Sequence, residues 1–290
     1  MDPHAGVEAA WTQHRRRVLD VAYRMLGSRA EADDVVAEAY TRLVERGVDG
    51  LADPRAWLVT VTSRLCLDRL RSAEVRRRGY VGPWLPEPIL DQATSHLDPQ
   101  DQVTLDDTVR MALLIVLEQL SPAERTVYVL AEVFLLPFAE VAGIVGRSPA
   151  ACRQLASRAR ARVAADAVAR FVPDPQQGRD VIERFARACE TGDLDALVAV
   201  LHSDVSGEFD SAGLIAYAPL HSINGRDVVA GLLHRAFVNS GASFVVGDVN
   251  GEPGVVVRMT NHLVAVIAVV VHGDRIVAIH AIGNPAKLRG

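Results

Sequence analysis

Four prolines fall within residues 80–99 of this chain, in the sequence YVGPWLPEPILDQATSHLDP. Proline fixes its backbone φ angle and carries no N–H, so neither a regular helix nor a central strand can run through this segment. The segment therefore predicts an extended linker, with parts of the chain folding on either side of it. Trp84 and Leu85 are too apolar for a fully solvated tether, and we expect them to dock on some other surface.

The composition excludes several enzyme classes. Of the 31 basic residues only Lys287 is a lysine, which rules out a P-loop, a kinase lysine and a central Schiff-base lysine. The motifs HExxH, GxSxG and GxGxxG are also absent. Cys66, Cys152 and Cys189 are widely separated, a spacing that predicts neither a disulfide framework nor a metal site. We therefore expect no catalytic residues, no metal and no cofactor.

No segment suggests contact with a membrane. The longest apolar run, residues 263–271, is bounded by two histidines and is far shorter than the roughly 20 residues that a membrane-spanning helix needs. The first residues lack a basic head followed by an apolar stretch, so we expect no secretory signal. These observations predict a cytoplasmic protein.

Residues 7–72 show helical periodicity with breaks at 27–28, 47–50 and 53–54, which predicts three helices. The second, residues 29–46, has an acidic outer face. The third has Asp53 as its N-cap and Pro54 as its first residue, and its outer faces are expected to carry arginine, threonine and serine. Residues 55–80 contain seven arginines against two acids, so this region predicts a local basic surface that suits nucleic acid.

A second basic region follows the linker, although the whole chain has a formal charge of -5. Residues 103–119 predict a helix, and Ser121 and Glu124 form a capping box that opens another helix through about residue 134. Residues 138–145, a turn at Gly146 and a helix opened by Ser148 then match a helix-turn-helix. Residues 147–162 carry five arginines and no acid, which favours binding in the major groove of DNA.

Beyond residue 173 the periodicity changes. Helices are predicted over residues 180–201 and 226–237, and β-strands over 243–248, 254–260, 263–272 and 275–282. The sequence thus predicts a multidomain protein, with two all-α domains followed by an α+β domain. Its expected parts are a helical domain at 1–79, the linker at 80–102, a helix-turn-helix domain at 103–172 and the α+β domain at 173–290.

Three stretches resemble the extracytoplasmic-function (ECF) sigma factors of bacterial RNA polymerase. They are YRMLGSRAEADDVVAEAYTRL (23–43), DPRAWLVTVTSRLCLDRLRS (53–72) and residues 120–163, which include the helix-turn-helix. WLPEP (84–88) and NPAKL (284–288) resemble motifs of the subgroup with a C-terminal SnoaL-like (NTF2-like) domain, an α+β cone. DSAGL (210–214) stands where that subgroup has DGGGK, and Arg64 stands where the family usually has asparagine.

The resemblance implies a transcription initiation factor that binds core RNA polymerase and promoter DNA, with its activity modulated by the SnoaL-like domain. It implies polymerase binding by Asp33, Asp34 and Glu38. It implies recognition of the minus-10 element by Arg55, Thr60, Ser63, Arg64, Arg69 and Arg71, and of the minus-35 element by Arg147, Ser148, Arg153, Gln154, Ser157, Arg158 and Arg162. Regulatory contacts are implied for Trp84, Leu85, Pro86, Glu87, Pro88, Asp210, Asn284, Pro285, Lys287 and Leu288. WLPEP is expected either near the active-site cleft of the polymerase or on the C-terminal domain.

Two alternatives remain open from the sequence. A helix-turn-helix repressor with a ligand-sensing domain explains the second basic region but leaves the first one unused. A fused cyclase or isomerase would place Asp210, His221, His262 or His280 in a pocket as a general base. The sequence does not require a separate anti-sigma factor, and it leaves room for an unidentified small ligand in the C-terminal domain.

Overall fold

A computed structural model describes residues 3–77, 79–90, 110–165 and 175–288. Their contacts form two units. A helical unit contains residues 3–77 and 116–165, and a C-terminal unit contains 79–90, 110–115 and 175–288. The described part of the linker, residues 80–90, has no helix and belongs to the C-terminal unit; we call it the strap.

The helical unit begins with three helices, α1 (Pro3–Leu26), α2 (Arg29–Arg46) and α3 (Pro54–Arg77). Their predicted breaks are confirmed, and α2 and α3 each start at a local capping signal. Ser28 accepts a hydrogen bond from the Glu31 amide at the start of α2, and Asp53 accepts one from the Ala56 amide at the start of α3. Such caps satisfy amides that have no partner within the helix.

The remaining helices of this unit are α5 (Pro122–Tyr128), a π-helix (Val129–Val133), α6 (Phe138–Val145) and α7 (Pro149–Ala165). The capping box of Ser121 and Glu124 opens α5. The helix predicted to reach residue 134 instead changes to π-helical geometry at Val129. α6 ends at Gly146, whose φ of 71° is readily adopted by glycine, and α7 follows to complete the helix-turn-helix.

The helix α4 (Met111–Glu118) is the described part of the helix predicted over 103–119, and residues 103–109 lie outside the described residues. Its first residues pack in the C-terminal unit. Met111 and Ile115 share an apolar cluster with Leu85 of the strap and with Val249 and Val266 of the sheet.

The C-terminal unit contains α8 (Pro175–Thr191), α9 (Leu194–Val200) and α10 (Arg226–Phe237). Its strands are β1 (Leu201–Asp210), β2 (Ile223–Asn224), β3 (Ser243–Val249), β4 (Glu252–Met259), β5 (His262–His272) and β6 (Arg275–Ile282). They form one sheet in the order β2-β1-β6-β5-β4-β3. Among the described strands, only β1 and β6 pair in parallel. The main core lies between one face of the sheet and the three helices.

The prediction of a single helix over 180–201 is wrong. Gly192, with φ of 68°, interrupts it, and Asp193 caps a new helix by accepting a hydrogen bond from the Ala196 amide. Leu201 then begins β1. The apolar run around Leu197 fits a helix or a strand equally well, so periodicity alone did not locate the change.

Candidate functional site

The acidic face of α2 exposes the carboxylates expected to bind polymerase. Asp34 has a side-chain exposure of 75% and Asp33 of 51%. Glu38 pairs with Arg42 at 2.7 Å. Arg69, expected on the DNA-binding face, instead donates a hydrogen bond from Nη1 to the Glu31 carbonyl and lies 3.6 Å from Glu38. Arg69 therefore joins α3 to the acidic face.

The outer face of α3 differs from the expectation at Ser63. The side chains of Ser63 and Thr62 are fully buried, so their expected place on an outer face is wrong. Residues three and four apart share a face of a helix. Ser63 therefore lies on the same face as Val59 and Cys66, which are both buried. Arg55, Arg64 and Arg71 are exposed, and Thr60 is half-buried and donates to the Ala56 carbonyl.

One exposed arginine of α3 contacts the helix-turn-helix. Arg64 donates a hydrogen bond from Nη2 to the carbonyl of Gly143 in α6, at 3.0 Å. Both residues belong to the helical unit. Arg64 is exposed, with one of its nitrogens bonded to the backbone of α6.

The outer face of α7 is largely solvent-facing. Arg147, Ser148, Arg153, Gln154 and Ser157 are exposed. Ser148 also serves as N-cap, because its Oγ accepts a hydrogen bond from the Ala151 amide.

Arg158 and Arg162, also exposed on α7, have a partner within the unit. Both form ion pairs with Glu124, at 3.1 and 3.2 Å. Burial tends to raise the pKa of Glu124, but its hydrogen bonds with Ser121 and the two arginines outweigh burial and lower it. These two arginines therefore help to fasten α7 to α5.

The strap is held by a buried carboxylate at the end of β1. Asp210 has no exposed side-chain surface and forms an ion pair with Lys287 at 2.6 Å. The Leu85 amide donates to Asp210 Oδ2 at 2.9 Å, and the Tyr80 hydroxyl donates to Oδ1. The amide of Ala212 donates to Oδ1 at 3.3 Å. Asp210 thus joins the strap, the sheet and the C-terminal segment of the described chain.

Lys287 makes further contacts with the strap. Its Nζ donates to the Leu85 carbonyl and lies 3.4 Å from the centroid of the Trp84 ring, a cation–π contact. Asn284 donates from Nδ2 to the Tyr80 hydroxyl at 2.9 Å. Burial and the bond to Asp210 raise the pKa of Tyr80, so the hydroxyl keeps its proton at neutral pH.

The other residues with an expected regulatory role surround this cluster. Leu85 and Pro86 are buried, Glu87 and Pro88 are half-buried, Leu288 packs against the Leu85 cluster, and Pro285 is exposed. Two participants were not predicted from the sequence. Tyr80 directly precedes the apolar part of the linker, and Asn250 accepts a hydrogen bond from the Ile89 amide through Oδ1 at 3.1 Å. The Asn250–Gly251 pair signals a turn, but nothing in the sequence links that turn to the strap.

The residues suggested for catalysis do not converge. Asp210 lines a cavity, but His221, His262 and His280 are not among the described residues that line it. His221 and His262 are exposed, and His280 is buried 3.4 Å from Glu208. Four donors occupy the two oxygens of Asp210, and a carboxylate has about four acceptor positions. Asp210 therefore has no acceptor position left for a substrate proton.

Among the described residues, no helix is both long enough and apolar enough to cross a membrane.

Comparisons with known proteins identify both helical regions. Residues 10–76 match the model for Sigma-70 region 2, and residues 110–163 match that for Sigma-70, region 4. The chain is 40% identical over 290 residues to "Probable ECF RNA polymerase sigma factor SigI" of Mycobacterium tuberculosis, which covers 99% of this chain and 97% of that protein. It is 40% identical over 288 residues to "ECF RNA polymerase sigma factor SigJ" of the same organism, covering 95% and 91% of the two chains.

The fold is similar as well. The crystal structure of Mycobacterium tuberculosis SigJ matches with a TM-score of 0.73 and 35% identity, over 96% of this chain and 97% of that one. Sequence and structure thus agree over almost the full length, including the α+β domain. This chain belongs to the ECF RNA polymerase sigma factors, with two helical sigma regions followed by an α+β C-terminal domain.

Proposed function

We propose that α2 is the polymerase-binding surface of this sigma factor. Asp33 and Asp34 are exposed acids whose ion pairs with Arg29 and Arg69 lie at the surface, and Glu38 lies beside Arg69 on the same face. Exposed acids favour a basic partner and accelerate encounter with it. This part of the protein corresponds to the expected domain at 1–79.

The two basic helices are proposed to read the two promoter elements. Arg55, Thr60, Arg64 and Arg71 of α3 remain the candidates for the minus-10 element, since Ser63 is buried. On α7, the exposed Arg153, Gln154 and Ser157 are the principal candidates for the minus-35 element. Arg158 and Arg162 would bind phosphates only by giving up part of their contact with Glu124. This proposal assigns recognition of the minus-10 element to the expected domain at 1–79 and recognition of the minus-35 element to the expected domain at 103–172.

Arg153→Ala tests the assignment of α7. We expect the apparent affinity of the chain with core polymerase for its promoter to weaken by about 1–3 kcal/mol, because a bidentate arginine–guanine contact contributes that much. Transcription from the promoter should fall accordingly. Sequence preference within the minus-35 element should also relax. The measurement is single-round run-off transcription over a library of minus-35 variants.

Arg160→Ala is the matched control, because Arg160 lies on the same helix but faces Glu132 at 3.7 Å. It should leave the sequence preference unchanged. If Arg153→Ala transcribes the library like the parent, or if both variants lose the same activity, Arg153 does not read a base.

The C-terminal domain is proposed to regulate the factor by holding the strap. The observation that carries this proposal is the buried cluster of Asp210, Lys287, Tyr80 and Leu85. WLPEP is expected either through or near the polymerase cleft or on the C-terminal domain, and a strap docked on Asp210 is not available to enter the cleft. Docking on Asp210 therefore competes with use of the strap by the polymerase, and the balance sets the activity.

Membership in the sigma family removes the repressor alternative. The arrangement of side chains does not support the enzyme alternative. Four donors already occupy the acceptor positions of Asp210, so this carboxylate is not available as a general base. The SnoaL-like domain thus serves the initiation factor rather than a separate reaction.

A further inference from the structure

The C-terminal unit contains a cavity of about 230 Å³ next to the strap cluster. It lies between α10, β1 and β5, and its wall is mainly apolar. The apolar lining includes Phe209, Leu232, Phe237 and Val264, and the polar residues Asp210, Ser211 and Ser240 also line it. A concave, mainly apolar site with a few polar groups is the usual form of a small-molecule site.

The charges around the cavity define the kind of ligand. None of the described residues that line it is basic, so an anion would enter without a counter-charge. The one acid, Asp210, is already paired with Lys287 and accepts three further hydrogen bonds, so a cation finds no free carboxylate. An unpaired charge is costly to bury. We propose that the cavity binds a small, neutral and predominantly apolar molecule.

The mouth of the cavity is unusually apolar for a surface loop. Tyr217 is 59% exposed and Met259 is 39% exposed, and both line the cavity. Leu214 and Leu220, in the same loop as Tyr217, are 70% and 50% exposed. An apolar ligand at the mouth would cover part of this surface, and that burial contributes to binding.

The loop at the mouth also touches the strap. A Cβ placed on Gly213 would lie 2.7 Å from Val81 Cγ1, so the backbone at Gly213 closely approaches the Val81 side chain of the strap, and Leu220 lies beside Gly82. Asp210 belongs both to the cavity wall and to the strap cluster. A ligand that orders this loop therefore stabilises the docked strap. This regulatory part rests on the proposed function, whereas ligand binding itself does not.

Two dyes with the same ring skeleton test the binding site. N-phenyl-1-naphthylamine is neutral and apolar, and 8-anilinonaphthalene-1-sulfonate adds a negative charge. We expect the neutral dye to bind the full chain at one saturable site. The sulfonate should bind at least about tenfold more weakly. Equal affinity for the two dyes would overturn the proposed ligand class.

Cavity-filling variants locate the site. Ala236→Phe in α10 and Ala265→Leu in β5 place added atoms in the cavity, because both alanines line it. Each should weaken binding of the neutral dye about tenfold. Ala199→Phe, at an exposed position of α9 outside the cavity wall, should change the affinity by less than about twofold. If both filling variants bind the dye like the parent, the site lies elsewhere and the inference is wrong.

Reciprocity tests the coupling to the strap. Saturating neutral dye should slow hydrogen exchange of the Leu85 amide by about fivefold, and Leu85→Ala should weaken dye binding by a similar factor, since coupling free energies act equally in both directions. Leu85 does not line the cavity, so a direct loss of contact cannot explain the second effect. Tight dye binding with unchanged Leu85 exchange would retain the binding site and overturn the coupling. Neither result depends on polymerase, so failure here is distinct from failure of the proposed function.

Discussion

Replacing Lys287 with methionine is expected to release the strap. The Asp210 carboxylate is fully buried and Lys287 is its cationic partner at 2.6 Å. Removing one member of a buried ion pair leaves an uncompensated charge and costs about 3–5 kcal/mol. The variant also loses the bond from Nζ to the Leu85 carbonyl. Hydrogen exchange at the Leu85 amide, which bonds to Asp210, should accelerate by at least about a hundredfold.

Two further variants serve as controls for this result. Arg179→Met breaks the exposed pair between Arg179 and Asp248, at 3.5 Å, and should cost less than about 1 kcal/mol. Asp210→Asn combined with Lys287→Met removes both charges, and this double variant should be more stable than Lys287→Met alone. Unchanged Leu85 exchange in Lys287→Met would show that the ion pair does not hold the strap.

The same variant tests regulation. Because it weakens docking on the C-terminal domain, Lys287→Met should raise run-off transcription at limiting protein by several-fold, with the affinity for core polymerase retained. If Lys287→Met releases the strap but leaves transcription unchanged, Lys287 has a structural role only, and regulation by docking of the strap is wrong.

Replacing Arg125 with methionine is expected to destabilise the helical unit by about 3–5 kcal/mol. Arg125 is buried and pairs with Glu118 at 2.7 Å. Its Nε donates to the Leu117 carbonyl and its Nη1 to the Met25 carbonyl. These carbonyls lie in the last turns of α4 and α1, where a helix has no internal donors left. One guanidinium therefore bonds to the ends of two helices and forms an ion pair with one buried acid.

Urea-dependent hydrogen exchange in α1 and α5 measures this loss. Arg71→Met, which removes an exposed pair with Asp68, should shift the stability by less than about 1 kcal/mol. If Arg125→Met and Arg71→Met have the same stability, the buried network around Arg125 does not join these helices.

Local signals predicted the helix starts well. Ser28, Asp53, Ser121 and Ser148 each cap the helix that follows, because a cap depends on residues only a few positions apart. The break at Gly192 was missed although glycine followed by aspartate is a capping signal, since the apolar periodicity on both sides favoured one helix.

The strap cluster depends instead on tertiary contacts. Tyr80 and Asp210 are 130 positions apart, and Asp210 and Lys287 are 77 apart. No periodicity spans such separations, and only the motif resemblance brought WLPEP, Asp210 and NPAKL together. The burial of Ser63 was missed for a local reason. A small polar side chain fits either the buried or the exposed face of a helix, so its residue type does not predict which face it occupies.

Reconstitution with purified core RNA polymerase is the most direct test of the central claim that this chain is a promoter-recognising sigma factor. Fragments of genomic DNA from its source organism serve as templates, and the 5′ ends of the transcripts are mapped. We predict that the chain binds core polymerase, and that transcripts start at defined positions only when both are present. Tight binding of the chain alone to duplex DNA, with no association with core polymerase and no defined transcripts, would contradict the claim.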